Sequence, residues 1–103
     1  MSLALGIDLG TSGVRSAVVD ASGAVMCMAR ADHLPQEPEH IDAENWWRAV
    51  EICVARQIAT LEELGRSGRE VTRTAVDGTS GTMVVTDASL RPVHARADLA
   101  RRR

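Results

Sequence analysis

Apolar residues fall in short runs at the start of the chain and at helical spacing in its middle. Leu3 to Leu9 is one such run, interrupted by Gly6 and by a single acid, Asp8, near its end. Gly10-Thr11-Ser12-Gly13 follows, then a second run from Val14 to Val19. Runs of this length bounded by glycine predict two strands, 3–9 and 14–19, joined by a tight turn. Asp20-Ala21-Ser22-Gly23 is a second turn signal, because Asp and Ser can bond nearby backbone and Gly tolerates positive φ. Ala24 to Arg30 then predicts a third strand, closing an antiparallel meander. Its core, Val25-Met26-Cys27-Met28-Ala29, is apolar on both faces, so this sheet is expected to be covered on both sides or to pack against something outside the meander.

From Ala31 to Ile41 the pattern breaks, and the two prolines of His33-Leu34-Pro35-Gln36-Glu37-Pro38-Glu39-His40 mark an extended connection. Asp42 is placed to cap a helix over about 43–64, with Glu44 favourable for its dipole. Trp47, Val50, Val54, Ile58 and Leu61 form the predicted buried stripe, widened by Trp46, Cys53 and Leu64. Arg48, Glu51, Arg56 and Glu62 lie away from it. Both tryptophans are expected to pack against the sheet. Gly65 and Gly68 stop the helix. Val71 to Val76 is β-prone and runs into Asp77-Gly78-Thr79-Ser80-Gly81-Thr82. A further strand, 83–86, and a turn over 87–92 complete the pattern.

Composition narrows the class. A chain of 103 residues is one domain at most, and at that size it buries roughly two-thirds of its unfolded surface. A net charge of −2 and a pI near 5.9 give no electrostatic footprint for nucleic acid. Every basic residue is arginine, and the only aromatics are Trp46 and Trp47. The core must therefore be aliphatic. Cys27 and Cys53 each sit in an apolar segment and are expected to be reduced core residues. His33, His40 and His94 lack metal-ligand spacing and are expected at the surface. With no secretory leader and no span-length apolar run, the chain is expected to be a soluble, cytoplasmic protein without a membrane partner.

The chemistry concentrates at the first bend. Gly10 and Gly13 are expected to take backbone angles closed to other residues, turning main-chain N–H groups toward an anion. Thr11 and Ser12 add hydroxyl donors. Asp8 is costly to bury unless a metal, a proton or donors satisfy it. A hairpin whose Asp8 merely caps the turn would account for the same residues. The loop is neither a Walker loop, since the chain has no lysine, nor a dinucleotide fingerprint, since a strand and not a helix follows it. The loop at 77–82 repeats its composition between two further strands.

The stretch Leu5-Gly6-Ile7-Asp8-Leu9-Gly10-Thr11-Ser12-Gly13-Val14-Arg15 resembles the first phosphate motif of the FGGY carbohydrate kinases, which share the actin and Hsp70 nucleotide-binding fold. Two further anchors follow in the family's order: Glu44-Asn45-Trp46-Trp47 at the helix start, and the segment 75–87 around Asp77-Gly78-Thr79-Ser80-Gly81-Thr82. The resemblance implies an α/β, ribonuclease-H-like (actin-like ATPase) half-domain, whose mixed sheet is a three-strand antiparallel meander plus a crossover helix and a further strand. It implies that Asp8 helps hold Mg²⁺-ATP, with Gly10, Thr11, Ser12, Gly13 and Arg15 on the same ATP side. It puts Asp77, Gly78, Thr79, Ser80 and Gly81 on the sugar side. Xylulokinase-type members carry G-Q-M-H-G there; Ser80 and Gly81 replace its Met and His, which is closer to the D-ribulose-kinase type.

The implied activity is transfer of the ATP γ-phosphate to a hydroxyl of a sugar, a ketopentose such as D-ribulose or D-xylulose. The general-base aspartate, the second phosphate motif and the adenosine pocket are expected downstream of this region. Residues 1–92 therefore read as an incomplete N-terminal lobe that cannot turn over alone, and 93–103, ending in three arginines, as a non-matching frayed tail. A second reading of another class is a non-catalytic phosphate-binding or interaction module that retains the fold. An acetate-kinase or Hsp70-like relative fits the opening motif but not the anchors at 44–47 and 75–87. Either main reading leaves a sheet face open to association, as a homodimer or otherwise.

Overall fold

The computed structural model describes residues 2–35, 42–78 and 85–93. Strands β1 (Leu3–Leu9), β2 (Gly13–Val19) and β3 (Val25–Asp32) form the meander, followed by helix α1 (Ala43–Glu63) and strand β4 (Val71–Gly78). β1 pairs antiparallel with β2 and parallel with β4, so the sheet is mixed, in the order β3-β2-β1-β4. A parallel partner for β1 requires the chain to cross back over the sheet, and α1 makes that crossing. Two short strands, β5 (Val85–Thr86) and β6 (Pro92–Val93), pair as a separate hairpin. Asp87 closes it by accepting from the N–H groups of Ser89 and Arg91 at 2.9 and 3.0 Å.

The ends of α1 follow local chemistry. Asp42 caps it, its Oδ1 accepting from the Glu44 N–H at 2.9 Å. At the other end Gly65 takes φ +78°. The Gly65 N–H then reaches Glu62 O at 2.9 Å and the Arg66 N–H reaches Leu61 O at 3.1 Å, the paired closure that a left-handed residue permits. Gly23 plays the same part in the β2–β3 turn at φ +86°. That turn hangs on Asp20, whose Oδ1 accepts from the Ser22 and Ala24 N–H groups and the Ser22 hydroxyl.

The core lies between α1 and the β2–β3 side of the sheet. Leu3, Val18, Cys27 and Leu61 form one buried cluster, and Val14, Ala31, Ala49 and Cys53 another. The seam of α1 differs from the stripe read from hydropathy. Its buried residues are Asn45, Ala49, Cys53, Gln57 and Leu61, while Trp47 is 59% exposed and Leu64 53%. The helix is rotated so that Trp47 and Leu64 point outward. Two polar residues take places in the seam because both are satisfied there.

Gln57 accepts from the Ser16 hydroxyl at 3.0 Å and donates to Cys27 Sγ at 2.7 Å, while the Cys53 thiol donates to Ser16 Oγ at 3.3 Å. This buried chain ties the helix to β2 and β3. Every member has a partner, so the desolvation cost of a buried amide, about 1–3 kcal/mol when unpaired, is avoided. Burial pushes the Cys27 thiol up, outweighing the opposing hydrogen bond from Gln57. Both cysteines are unbridged and buried, as expected.

Candidate functional site at the ends of two parallel strands

The parallel register of β1 and β4 places Asp8 beside Asp77 and Leu9 beside Gly78. Both strands therefore end on one rim, and the chain leaves them side by side. Parallel partners share a face, as do the antiparallel partners Asp8, Arg15 and Arg30 across β1, β2 and β3. A row of two acids and two bases, Asp77–Asp8–Arg15–Arg30, thus crosses the sheet on the side away from α1. Beneath it lies an open hollow of about 430 Å³, floored by Gly6, Ala17, Met28 and Ala75 and lined by Asp8, Arg15 and Asp77.

Asp8 is exposed, and no hydrogen bond or ion pair engages its carboxylate among the described residues. It does not cap the turn that follows. Asp77 accepts from its neighbour's N–H, Gly78 to Oδ1, at 3.0 Å. β4 continues through Asp77 and Gly78, so these two residues are strand and not loop, as the pattern ending at Val76 had it. Arg30 pairs with Asp32 at 3.0 Å along its own strand. Thr79, Ser80 and Gly81 lie outside the described residues. Among the described residues no group of three or more His, Cys, Asp or Glu side chains is arranged to hold a metal ion. Asp8 and Asp77 offer a pair of hard oxygen donors, a set that suits a magnesium ion keeping most of its water and phosphate ligands.

The turn from Gly10 to Gly13 sits directly past Asp8. Neither glycine has positive φ; among the described glycines only Gly23 and Gly65 do. The need for glycine here is steric. A Cβ on Gly13 would lie 2.6 Å from the Ala31 carbonyl oxygen and 3.0 Å from Asp32 Cα, and one on Gly10 would lie 3.1 Å from Gly13 O. At Gly13 the turn packs against the end of β3 too closely for a side chain, while Gly10 is crowded by Gly13 O within the turn itself. Its internal bond runs from the Gly10 N–H to Gly13 O at 2.8 Å. Thr11 and Ser12 are exposed at the tip, and no described hydrogen bond takes their hydroxyls or N–H groups.

Two residues that the sequence did not single out for this site support it. His33, expected at the surface, is half-buried, with Nε2 2.9 Å from Gly10 O and its main-chain N–H donating to Ser12 O at 3.0 Å. Asn45 holds the next residue, accepting from the Leu34 N–H at 3.1 Å and donating to Leu34 O at 2.9 Å. His40 and His94 lie outside the described residues.

No protein-family profile and no curated protein matches the chain. Solved structures do match in fold. A xyloylose kinase from Brucella ovis superposes with TM-score 0.75 at 22% identity, over 87% of this chain and 19% of its own. A xylulose kinase from Rhodospirillum rubrum gives TM-score 0.67 at 18% identity, over 88% of this chain and 19% of its own. A gluconate kinase from Lactobacillus acidophilus gives TM-score 0.67 at 12% identity, over 89% and 19%. The four-stranded mixed sheet with its crossing helix is a fold that this chain shares with part of each of these kinases. The fold agrees with the resemblance to an N-terminal FGGY-kinase segment carried by the motifs, and the chain spans 19% of the length of each of these kinases.

Proposed function

We propose that this chain is the phosphate-handling part of an ATP-dependent carbohydrate kinase acting on a ketopentose such as D-ribulose or D-xylulose. The observation that carries the reading is the rim at which Asp8 stands beside Asp77 with the Thr11–Ser12 tip directly beyond. Phosphoryl transfer needs little covalent participation from the protein; it needs positioning and stabilisation of charge spread over the transferred oxygens. Thr11 and Ser12 would supply hydroxyl donors to that group, with main-chain N–H groups of Gly10 to Gly13 beside them, and Arg15 a cation on the same face. Asp8 would hold the magnesium that travels with ATP, directly or through water; the ion supplies charge neutralisation at the phosphate oxygens. Asp77 and Gly78, at the end of the adjacent strand, open the segment that would meet the sugar, continuing through Thr79, Ser80 and Gly81.

The resemblance supports the ketopentose assignment through Ser80 and Gly81, and the two xylulose-type kinases among the fold matches are consistent with it. The gluconate kinase match leaves fold neutral between sugars. The test is ADP release with Mg²⁺-ATP against a panel of ketopentoses and gluconate, using the longest reading frame that carries this chain. Sugar-dependent release, lowered at least a hundredfold by Asp8→Asn, is the expected outcome; removing one preorganised charge-stabilising group typically costs about 10²–10³ in rate. Equal release from Asp8→Asn would contradict the role given to Asp8.

A further inference from the structure

The Gly10–Gly13 turn does not hold itself. Two-residue hairpin tips are usually self-supporting because their central residues adopt positive φ and match the strand twist. Thr11 and Ser12 both have negative φ, and the turn's internal bonding comes down to Gly10 N–H to Gly13 O. The rest comes from His33, which reaches both ends of the tip: its main-chain N–H to Ser12 O at 3.0 Å and its ring Nε2 to Gly10 O at 2.9 Å.

A carbonyl oxygen only accepts, so the bond to Gly10 O places a proton on Nε2. Nδ1 is buried and has no partner among the described residues. His33 is itself held in place, since both polar atoms of the Asn45 amide grip the main chain of Leu34. Asn45 is buried in the first turn of α1. A path thus runs from the helix to the turn: hydrogen bonds from Asn45 to Leu34, the peptide link from Leu34 to His33, and hydrogen bonds from His33 to Gly10 and Ser12.

We propose that His33 is a positioning residue for the anion-binding tip: it transmits the placement of α1 to Gly10 and Ser12, and so sets where Thr11 and Ser12 meet a phosphate. This rests on the phosphate-binding reading above. His33 touches no substrate in this role.

The test compares the chain with His33→Gln, whose amide can still donate to Gly10 O, and His33→Phe, which keeps a ring but has no donor. Asn45→Asp, nearly isosteric but unable to donate to Leu34 O, examines the link behind it. Three readouts are needed: the ¹⁵N shifts of the His33 ring, amide hydrogen exchange at Gly10 without ligand, and the response of the Thr11 and Ser12 amides to Mg²⁺-ATP. Expected are a proton on Nε2, Gly10 exchange about tenfold faster in His33→Phe, the scale of one lost hydrogen bond, and near-native exchange in His33→Gln. Asn45→Asp should shift Gly10 in the same direction as His33→Phe. Protection at core amides such as Val18 and Cys53 should stay unchanged in all three variants, separating a local strut from global loosening.

An Nδ1–H tautomer, or Gly10 exchange unaltered in His33→Phe, would overturn the proposal. Faster Gly10 exchange in His33→Phe together with a wild-type tip that ignores Mg²⁺-ATP would uphold the strut and overturn the phosphate reading instead.

Discussion

At Gly13 the first hairpin crosses the end of β3 with no room for a side chain, because a Cβ there would meet the Ala31 carbonyl at 2.6 Å. Gly13→Ala must push the hairpin off β3, and forced overpacking of this kind costs about 1–3 kcal/mol. Gly6 is the control: nothing lies within 4 Å of its Cβ position, so Gly6→Ala should stay within about 0.5 kcal/mol of the wild type. Urea unfolding of the two variants measures the difference, and equal midpoints would contradict the close approach. The sequence made the importance of Gly10 and Gly13 legible but not its cause. Glycines flanking two hydroxyl residues suggest unusual backbone angles, whereas at Gly13 the constraint comes from the end of β3, at Ala31 and Asp32. His33 was hidden for a related reason: its partners are main-chain carbonyls, which leave no trace in side-chain spacing.

Among the elements, strand limits and helix caps follow the residue pattern closely, since Asp42, Gly23 and Gly65 act through neighbours in the chain. The phase of α1 does not. Hydropathy ranks Trp47 and Leu64 as core and Asn45 and Gln57 as surface, yet the reverse holds because Ser16, Cys27 and Leu34 satisfy the amides. Such a rotation cannot be read without knowing what faces the helix.

The entry to β4 shows a local device of another kind. Ser67 caps a single 3₁₀ turn, Gly68–Glu70, in a reciprocal capping box. The Glu70 carboxylate meanwhile accepts from the Arg66 guanidinium at 2.8 Å and from the Ser67 N–H at 2.8 Å. The Arg66 bond, followed by that of Ser67, holds the Glu70 carboxyl at about 2, well below its ordinary 4.5. A depressed carboxyl contributes stability that is fully present above the unfolded value and is lost as pH falls through the folded one. Stability should therefore decline between about pH 4.5 and pH 2. Glu70→Gln should lack this part of the decline, while Asp20, held low chiefly by its Ser22 bond, still contributes in both proteins. Parallel acid limbs in urea melts of the two proteins would contradict this.

For the whole molecule, the decisive feature is what α1 leaves uncovered. It rests on β2 and β3, so the β1–β4 side keeps Val76 67% exposed, and on the opposite face Met28, on the floor of the hollow, is 65% exposed. The apolar character of both faces of 25–29 was legible in the sequence, and the open face is where it leads. The isolated chain is expected to self-associate, with Met28→Glu reducing the effect in light scattering. A monodisperse wild-type monomer over a wide concentration range would contradict it. No helix among the described residues is long and apolar enough to cross a membrane.

The parallel pairing of β1 with β4 is the feature on which the proposed function turns, because it brings Asp8 and Asp77 to one rim. The three motif anchors pointed to that arrangement through family resemblance; periodicity alone gave the strands and not their neighbours. Its most direct test is ADP release by the longest reading frame containing this chain, supplied with Mg²⁺-ATP and a ketopentose, with wild type and Asp8→Asn side by side. Expected is release that requires the sugar and falls at least a hundredfold in the variant. Nucleotide turnover indifferent to both sugar and Asp8, or none at all from a folded product, would contradict the kinase reading and leave a binding module on a kinase fold.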